Sequence, residues 1–226
     1  MATSSNHAIS DHPARYRVRQ GVEEMILRGG FRSGSKLKQL SLAKQFGVGQ
    51  GIIREALIEL QAMGLVESVN NCGIYVTQIN RKKLVDSIEV RAAIEGMAVR
   101  LCCDRCSRAD RRKLNGIANK IYKKIQAGSA EEGASLDREF HHSLVQLSQN
   151  DELLRVVDSY RAFGKIVQLD RDAKVVLGEH LSVIEAIEKG GADTAEQLLR
   201  EHLWAGKEVL EKKLADDPDF VPHWVT

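Results

Sequence analysis

This sequence of 226 residues has few aromatic residues, no long apolar run and no large excess of one charge. Only 5% of the residues are aromatic, whereas 43% are hydrophobic and 28% charged, a composition typical of a helical protein with an aliphatic core. No run approaches the roughly 18 apolar residues of a membrane-spanning helix. The first twelve residues are polar and contain no apolar signal-peptide segment. We therefore expect a disordered tail over residues 1–12 and a cytoplasmic protein with no membrane partner.

Cysteine is also scarce, and three of the four cysteines crowd into one segment: Cys102, Cys103 and Cys106. This distribution excludes the disulfide framework of a small secreted domain. The Cys103-x-x-Cys106 spacing also occurs in redox and zinc sites, but no second pair of cysteine ligands lies nearby. We expect reduced, chemically inert thiols in a helical stretch.

The formal net charge is only +2, yet the charge is unevenly distributed along the chain. Residues 1–60 contain nine Lys and Arg residues against five Asp and Glu residues. A basic N-terminal part on a nearly neutral chain is typical of a localised nucleic-acid interface.

The N-terminal part shows the element order of a winged helix-turn-helix, for which we expect bounds of 13–78. Apolar residues at helical spacing predict three helices, and the third ends at Gly64. Two β-prone runs follow, Leu65–Val69 and Ile74–Val76. The Asn70-Asn71-Cys72-Gly73 segment between them contains residues that tolerate positive φ, which predicts a hairpin.

Inside this region, residues 38–46 and 50–63 have the features of a helix-turn-helix. Ala43 is the small residue needed where the helices cross, Gly47 permits the tight turn, and Val48 is the apolar anchor after it. The second helix would enter the major groove with its N-terminal residues at the base edges. Gln50 can read adenine, and Arg54 can reach guanine or phosphate, although an ordinary solvated charge is the alternative for Arg54. The predicted DNA contacts are Lys38, Gly49, Gln50, Arg54, Asn71 and Gly73.

From Arg81 onward the pattern is helical, with no strand signal. The predicted helices span 81–105, 108–127, 131–148, 151–169, 172–189 and 193–214. About six amphipathic helices with short loops imply an antiparallel all-helical bundle over 81–215, followed by a loose tail over 216–226. The fold class is therefore mainly α.

Four residues of this bundle predict a metal site: Asp137, His141, His180 and His202. Asp137 and His141 are four residues apart and share one helix face. His180 and His202 each lie eleven residues from Gly191, so they are level in an antiparallel helix pair. Each histidine alone is better explained as a buried core residue. Together they predict a site for Zn, Ni, Fe or Mn, with room for a ligand oxygen.

The segment GVGQGIIREALIELQAMGLVESVNNCGIYV resembles the DNA-binding segment of GntR-type regulators over about residues 15–78. Two positions differ from the family pattern. Leu40 occupies a position that is usually Arg, and Gly49-Gln50 replaces a usual Ser/Thr-Arg. Both arginines are typical DNA contacts, so their loss implies an altered operator sequence or affinity.

The segments LDREFHHSLVQLSQNDELL and GEHLSVIEAIEKGGADTAEQLLREHL resemble the FCD ligand-binding domain that follows many such winged helices in the FadR-like subfamily. The resemblance covers about residues 81–215. It implies a metal whose coordination is completed by a small carboxylate effector. In EVRAAIEGMAVRL it also implies that Arg91 points to the effector pocket, with a salt bridge as the alternative.

The sequence thus predicts a DNA-binding transcriptional regulator and not an enzyme. We expect a homodimer bound to a double-stranded operator, because one short recognition helix specifies too few base pairs. The alternatives are a winged-helix adaptor that binds protein and a mononuclear metal-dependent enzyme.

Overall fold

The computed structural model describes residues 11–27, 30–78, 80–160 and 171–217. The chain divides at Asn80 into two compact units, and each is described by itself. Within the described ranges, no helix combines the length and apolar character needed to cross a membrane.

The N-terminal unit is a winged helix-turn-helix. Its elements are α1 (Asp11–Leu27), β1 (Lys36–Leu37), α2 (Gln39–Phe46), α3 (Gln50–Ala62), β2 (Val66–Val69) and β3 (Gly73–Val76). The three strands form an antiparallel sheet in the order β1-β3-β2. The apolar stripe of α1 packs on α3, and Val22, Ile53 and Leu57 are fully buried. The predicted hairpin is present, and the short β1 strand adds to it an element that the sequence analysis did not assign.

Backbone geometry explains the two turns of this unit. Gly47 has a φ of +64° and lies directly after α2, where its N–H donates to the carbonyl of Ala43. In the wing, Asn71 and Gly73 have φ values of +57° and +113°. These are the residue types that adopt the left-handed region most easily, so the turn chemistry predicted from the sequence is confirmed.

The C-terminal unit is a helical bundle. Its elements are α4 (Arg81–Arg105), α5 (Arg108–Gln126), α6 (Ala130–Leu147), α7 (Asp151–Tyr160), α8 (Ala173–Glu188) and α9 (Ala192–Asp216). Local caps fix several helix starts: the Asn80 side chain accepts from the Lys83 N–H at the start of α4, and Ser107 with Asp110 forms a capping box on α5. One apolar core runs through the bundle, and Phe140, Leu144 and Leu199 within it are fully buried.

The two long helices α4 and α9 run antiparallel. Lys207 Nζ lies 2.7 Å from Glu89 Oε1, and Arg81 Nη1 donates to the carbonyl oxygen of Leu214 at 2.5 Å. Residues late in α9 are therefore level with residues early in α4. This register determines which side chains of the two helices can meet.

The predicted helix bounds agree with the structure to within two residues wherever the chain is described. Helix α1 begins at Asp11 and so includes two residues of the expected tail, while residues 1–10 lie outside the described ranges. Helix α7 is described to Tyr160, so the remainder of the predicted 151–169 helix lies outside them as well. Helix α9 extends to Asp216, one residue into the expected C-terminal tail, and residues 218–226 are not described.

The cysteines in and directly after α4 are free thiols. Cys102 is buried and its Sγ lies 3.2 Å from the carbonyl oxygen of Leu144, while Cys103 and Cys106 pack partly buried against the same core.

Candidate metal centre and nucleic-acid interface

Three helices bring Asp137, His141, His180 and His202 together inside the bundle. Helix α6 carries Asp137 and His141 on one face, α8 carries His180, and α9 carries His202. Each of the four side chains offers one ligand atom, and these atoms all lie within 4.8 Å of one another. The cluster predicted from sequence spacing is therefore one site in the fold.

The histidines of this cluster are buried among apolar side chains. His141, His180 and His202 expose 3%, 0% and 5% of their surface. His141 Nε2 lies 3.0 Å from His202 Nε2 and 3.7 Å from Asp137 Oδ2. His180 Nε2 lies 3.3 Å from Asp137 Oδ1. The Asp137 carboxylate, 34% exposed, is the most accessible member.

Two glutamates orient the outer nitrogens of the imidazoles. His141 Nδ1 lies 2.7 Å from Glu95 Oε2, and His202 Nδ1 lies 2.6 Å from Glu179 Oε2. An ionised carboxylate can only accept, so each Nδ1 carries a proton and donates it. In the neutral rings the Nε2 atoms then hold lone pairs that point into the cluster. Such carboxylate–histidine pairs are the usual outer partners of metal-binding imidazoles.

The charges around the cluster keep its carboxylates ionised. Burial by itself would raise the pKa of Glu95, but the Arg91 guanidinium and the His141 ring outweigh it and lower that pKa to about 2. Burial likewise opposes ionisation of Asp137, whereas protonated His141 and His180 rings beside it would lower its pKa. Burial lowers the pKa of His202 to about 4, which favours its neutral, metal-binding form.

The residues present fit a divalent metal ion on two observations. Two Nε2 lone pairs 3.0 Å apart repel each other unless a proton or a cation lies between them. His180 is fully buried, and neither of its ring nitrogens makes a well-formed hydrogen bond with any described residue. A buried polar atom without such a bond is costly, and coordination through Nε2 would give that nitrogen a partner. Three imidazoles and one carboxylate form a donor set that suits Zn, Ni, Fe or Mn.

A cavity of about 460 Å³ adjoins the cluster, and Asp137, His141 and His202 form part of its wall. Arg91 lines it as well, and its Nε also donates to Glu95 Oε1 at 2.7 Å. Both interpretations of Arg91 from the sequence, pocket residue and salt-bridge partner, therefore describe its position. Arg171 lines the same cavity, and its Nη2 donates to Glu179 Oε1 at 2.6 Å.

Sequence reasoning missed Glu95, Glu179 and Arg171. Glu95 had a usable signal, because it falls among the apolar positions of α4, beside Ala92 and Val99, where an unpaired acid would be costly. Glu179 and Arg171 had no such signal in the sequence. Their roles depend on the position of α8 against α9.

In the winged helix, α3 presents its first turns to solvent. Gly49 has an extended backbone at the N-cap, and Gln50 begins the helix. Gln50 and Arg54 are both exposed and lie four residues apart, whereas Ile53 and Leu57 face the core. The two predicted base-reading side chains therefore share the solvent face of α3.

The remaining predicted DNA contacts are also at the surface. Lys38 is the exposed N-cap of α2, and Asn71 is exposed at the wing tip, with Gly73 following it. The structure adds Lys36, which is exposed on β1 and places its Nζ 5.8 Å from the centre of the Tyr75 ring on β3. The β1–β3 pairing sets this position at the base of the wing.

Comparison with known protein families assigns both units. Residues 86–205 match the FCD domain model, and residues 15–76 match the model described as bacterial regulatory proteins, gntR family. The chain is a GntR-family transcriptional regulator with an FCD domain.

Individual relatives of this GntR-family regulator agree with the family assignment. A protein named "Probable D-xylose utilization operon transcriptional repressor" from Paenarthrobacter nicotinovorans is 28% identical over 193 residues, covering 84% of this chain and 85% of the relative. The nta operon transcriptional regulator of Aminobacter aminovorans is 37% identical over 131 residues, covering 57% and 61%. These relatives and the matched gntR family are transcriptional regulators and not enzymes.

Solved structures share the fold. Escherichia coli McbR/YncC superposes with a TM-score of 0.69 at 17% identity, covering 88% of this chain and 98% of that one. A GntR regulator from Rhodococcus sp. RHA1 gives 0.66 at 18% identity, with the same coverage.

Proposed function

We propose that this FCD-domain regulator binds its operator as a homodimer through α3 and the wing, and that a metabolite bound at a metal in the helical unit changes its operator affinity. Asp137, His141, His180 and His202 would hold the ion. A small carboxylate would complete its coordination.

The observation that carries the metal proposal is the orientation of His141 and His202. Their Nδ1 atoms donate outward to Glu95 and Glu179, and their Nε2 atoms face each other at 3.0 Å. Hydrogen bonds alone do not explain this arrangement for neutral rings, because both inner nitrogens are acceptors. A shared divalent cation satisfies both lone pairs.

The surroundings of the cluster support a carboxylate as the effector. The cavity beside it is lined by Arg91 and Arg171, whose Nε and Nη2 atoms respectively bind Glu95 and Glu179, which fixes each guanidinium in place. Guanidinium groups held in this way bind carboxylates with directional hydrogen bonds. A bound divalent ion would supply a Lewis acid for the same carboxylate.

Surface chemistry supports the DNA-binding role proposed for α3 and the wing. Gln50 and Arg54 are exposed on one face at the start of α3, the part of a recognition helix that meets base edges. Lys36 and Lys38 add positive charge beside them for phosphate contacts. Leu40 is 64% exposed where related regulators usually carry an arginine, so we propose an operator that differs from the usual one.

One experiment with two reciprocal variants tests both halves. Operator fragments are first selected from genomic DNA. Metal content, melting temperature and operator affinity are then measured for the wild type, Asp137→Asn and Arg54→Ala. We expect Asp137→Asn to lose the metal and the response to carboxylates while still binding DNA. Arg54→Ala should keep the metal and lose about 1–3 kcal/mol of operator affinity.

Each half of the proposal has its own contradicting result. Wild-type protein that contains no divalent metal, and whose melting temperature does not change when zinc is added or chelated, would overturn the metal site. Operator binding that Arg54→Ala and Gln50→Ala both leave unchanged would overturn the recognition-helix assignment.

A further inference from the structure

We infer that the effector is a monocarboxylate with an extended apolar body, and not a short or polyhydroxylated acid. The inference rests on the proposed function, because it places the carboxylate at the metal centre. It follows from the length, the wall chemistry and the size of the cavity beside that centre.

The cavity lies among α4, α5, α6 and α9, and its wall residues extend along α4 and α9. On α4 the wall residues run from Arg91, whose partner Glu95 contacts His141, to Leu84. Seven residues of helix on α4 correspond to about 10 Å, and the eleven from His202 to Lys213 on α9 to about 16 Å. On α9 the wall runs from His202 through Leu210 to Lys213, in the opposite chain direction. One elongated site therefore starts at the histidines.

The polar groups concentrate at the histidine end. Arg91, Asp137, Arg138, His141, Arg171 and His202 all lie there, whereas Ser87 and Lys213 are the polar residues farther along the wall. This end supplies the positive charge and the proposed metal that a carboxylate requires.

Away from that end the wall is aliphatic. It is built mainly from Leu84, Ile88, Ile125 and Leu210. Among the described residues of the wall, Ser87 is the only hydroxyl or carboxamide side chain, and its Oγ donates to the carbonyl oxygen of Leu84 at 2.6 Å. A ligand with several hydroxyl groups would bury them against this wall without partners, which is costly.

The volume of the cavity is too large for a very short acid to fill. The volume of about 460 Å³ falls within the range of about 300–1,000 Å³ that holds drug-sized ligands. A two- or three-carbon acid would reach the metal centre and leave the aliphatic part empty. The far end includes Lys213, which is exposed, so a longer chain can extend toward solvent there.

A chain-length series tests the inference on the metal-loaded full-length protein. Dissociation constants are measured by calorimetry for acetate, butanoate, hexanoate, octanoate and decanoate, and for gluconate as the hydroxylated counterpart of hexanoate. We expect affinity to rise about fourfold per methylene from butanoate to octanoate, since each buried methylene contributes a constant increment. Gluconate should bind more weakly than hexanoate.

A matched pair of variants tests whether the alkyl chain of the ligand lies in the cavity. Ile88→Phe narrows the aliphatic part, whereas Ile94→Phe makes the same change on the same helix beside a different apolar cluster. We expect Ile88→Phe to weaken octanoate at least tenfold, with acetate affinity and metal content kept, and Ile94→Phe to leave the series unchanged. If Ile88→Phe does not fold, Ile125→Phe narrows the cavity from α5.

The two kinds of failure are distinguishable. Acetate binding without any gain along the series, or gluconate binding more tightly than hexanoate, overturns the inference and leaves the proposed function standing. If none of these carboxylates binds the metal-loaded protein, the proposed function fails and the inference fails with it.

Discussion

The two nitrogens of the His141 ring have different roles. Nδ1 donates to the buried Glu95 carboxylate, which also accepts from Arg91, and Nε2 points into the cluster. The chain Arg91–Glu95–His141 therefore fixes the tautomer and the orientation of a proposed metal ligand. Glu95 acts as a positioning residue.

Glu95→Gln tests this role. Glutamine keeps the size of the side chain and removes the charge that orients His141, so we expect metal affinity to fall about 10–100-fold. Glu89→Gln is the matched control on the same helix, because its Lys207 pair lies on the surface. Competition with a chromophoric chelator measures both, at a temperature where circular dichroism shows each variant folded. Equal affinities for Glu95→Gln and wild type would contradict the role.

At the scale of elements, we expect alanine substitutions at one glycine in the turn and at one in α3 to change the stability of the protein in opposite directions. A Cβ atom added at either Gly47 or Gly51 would meet open space, so steric contacts with neighbouring residues do not separate the two positions. Gly47 has a φ of +64°, whereas Gly51 lies inside α3. Only the backbone conformation differs.

We therefore expect Gly47→Ala to destabilise the protein by about 1–2 kcal/mol, the cost of a left-handed alanine. Gly51→Ala, in the first turn of α3, should stabilise it by less than about 1 kcal/mol, because alanine loses less backbone entropy in a helix. Urea unfolding followed by circular dichroism measures both changes. Shifts of the same sign would show that the turn geometry is not the determining factor.

At the scale of the whole molecule, the recognition surface is small. A single short helix, α3, offers Gln50 and Arg54 as base-reading side chains. Two copies related by a two-fold axis would read two half-sites and supply the missing specificity. The number of base pairs needed for a specific operator therefore points to an assembly of two chains.

We expect two chains per operator and a near-palindromic site whose half-sites are separated by one helical turn or a multiple of it. Light scattering of the free protein at micromolar concentration, and titration of a labelled operator, measure the two stoichiometries. A monomer that binds one operator at a one-to-one ratio would contradict the homodimer. Adding a carboxylate that binds the metal-loaded protein should change its operator affinity by about 5–150-fold in the same assay.

Local sequence signals determined most of the fold. Apolar residues at helical spacing, caps such as Asn80 and Ser107, and glycines with positive φ act within a few residues, so helix bounds could be predicted from the chain alone. The two-residue strand β1 could not be predicted, because it exists only through its pairing with β3, across nearly forty residues of chain.

In the candidate site, too, some positions could be predicted from the sequence and others depend on tertiary structure. Asp137 and His141 share a helix face by their spacing, and His180 and His202 are level because they are equally far from Gly191. Tertiary structure alone brought Glu95 to His141, across 46 residues, and Glu179 to His202. It also formed the cavity among α4, α5, α6 and α9. Periodicity specifies which face of a helix is buried, whereas the partner that this face meets depends on how separate helices pack.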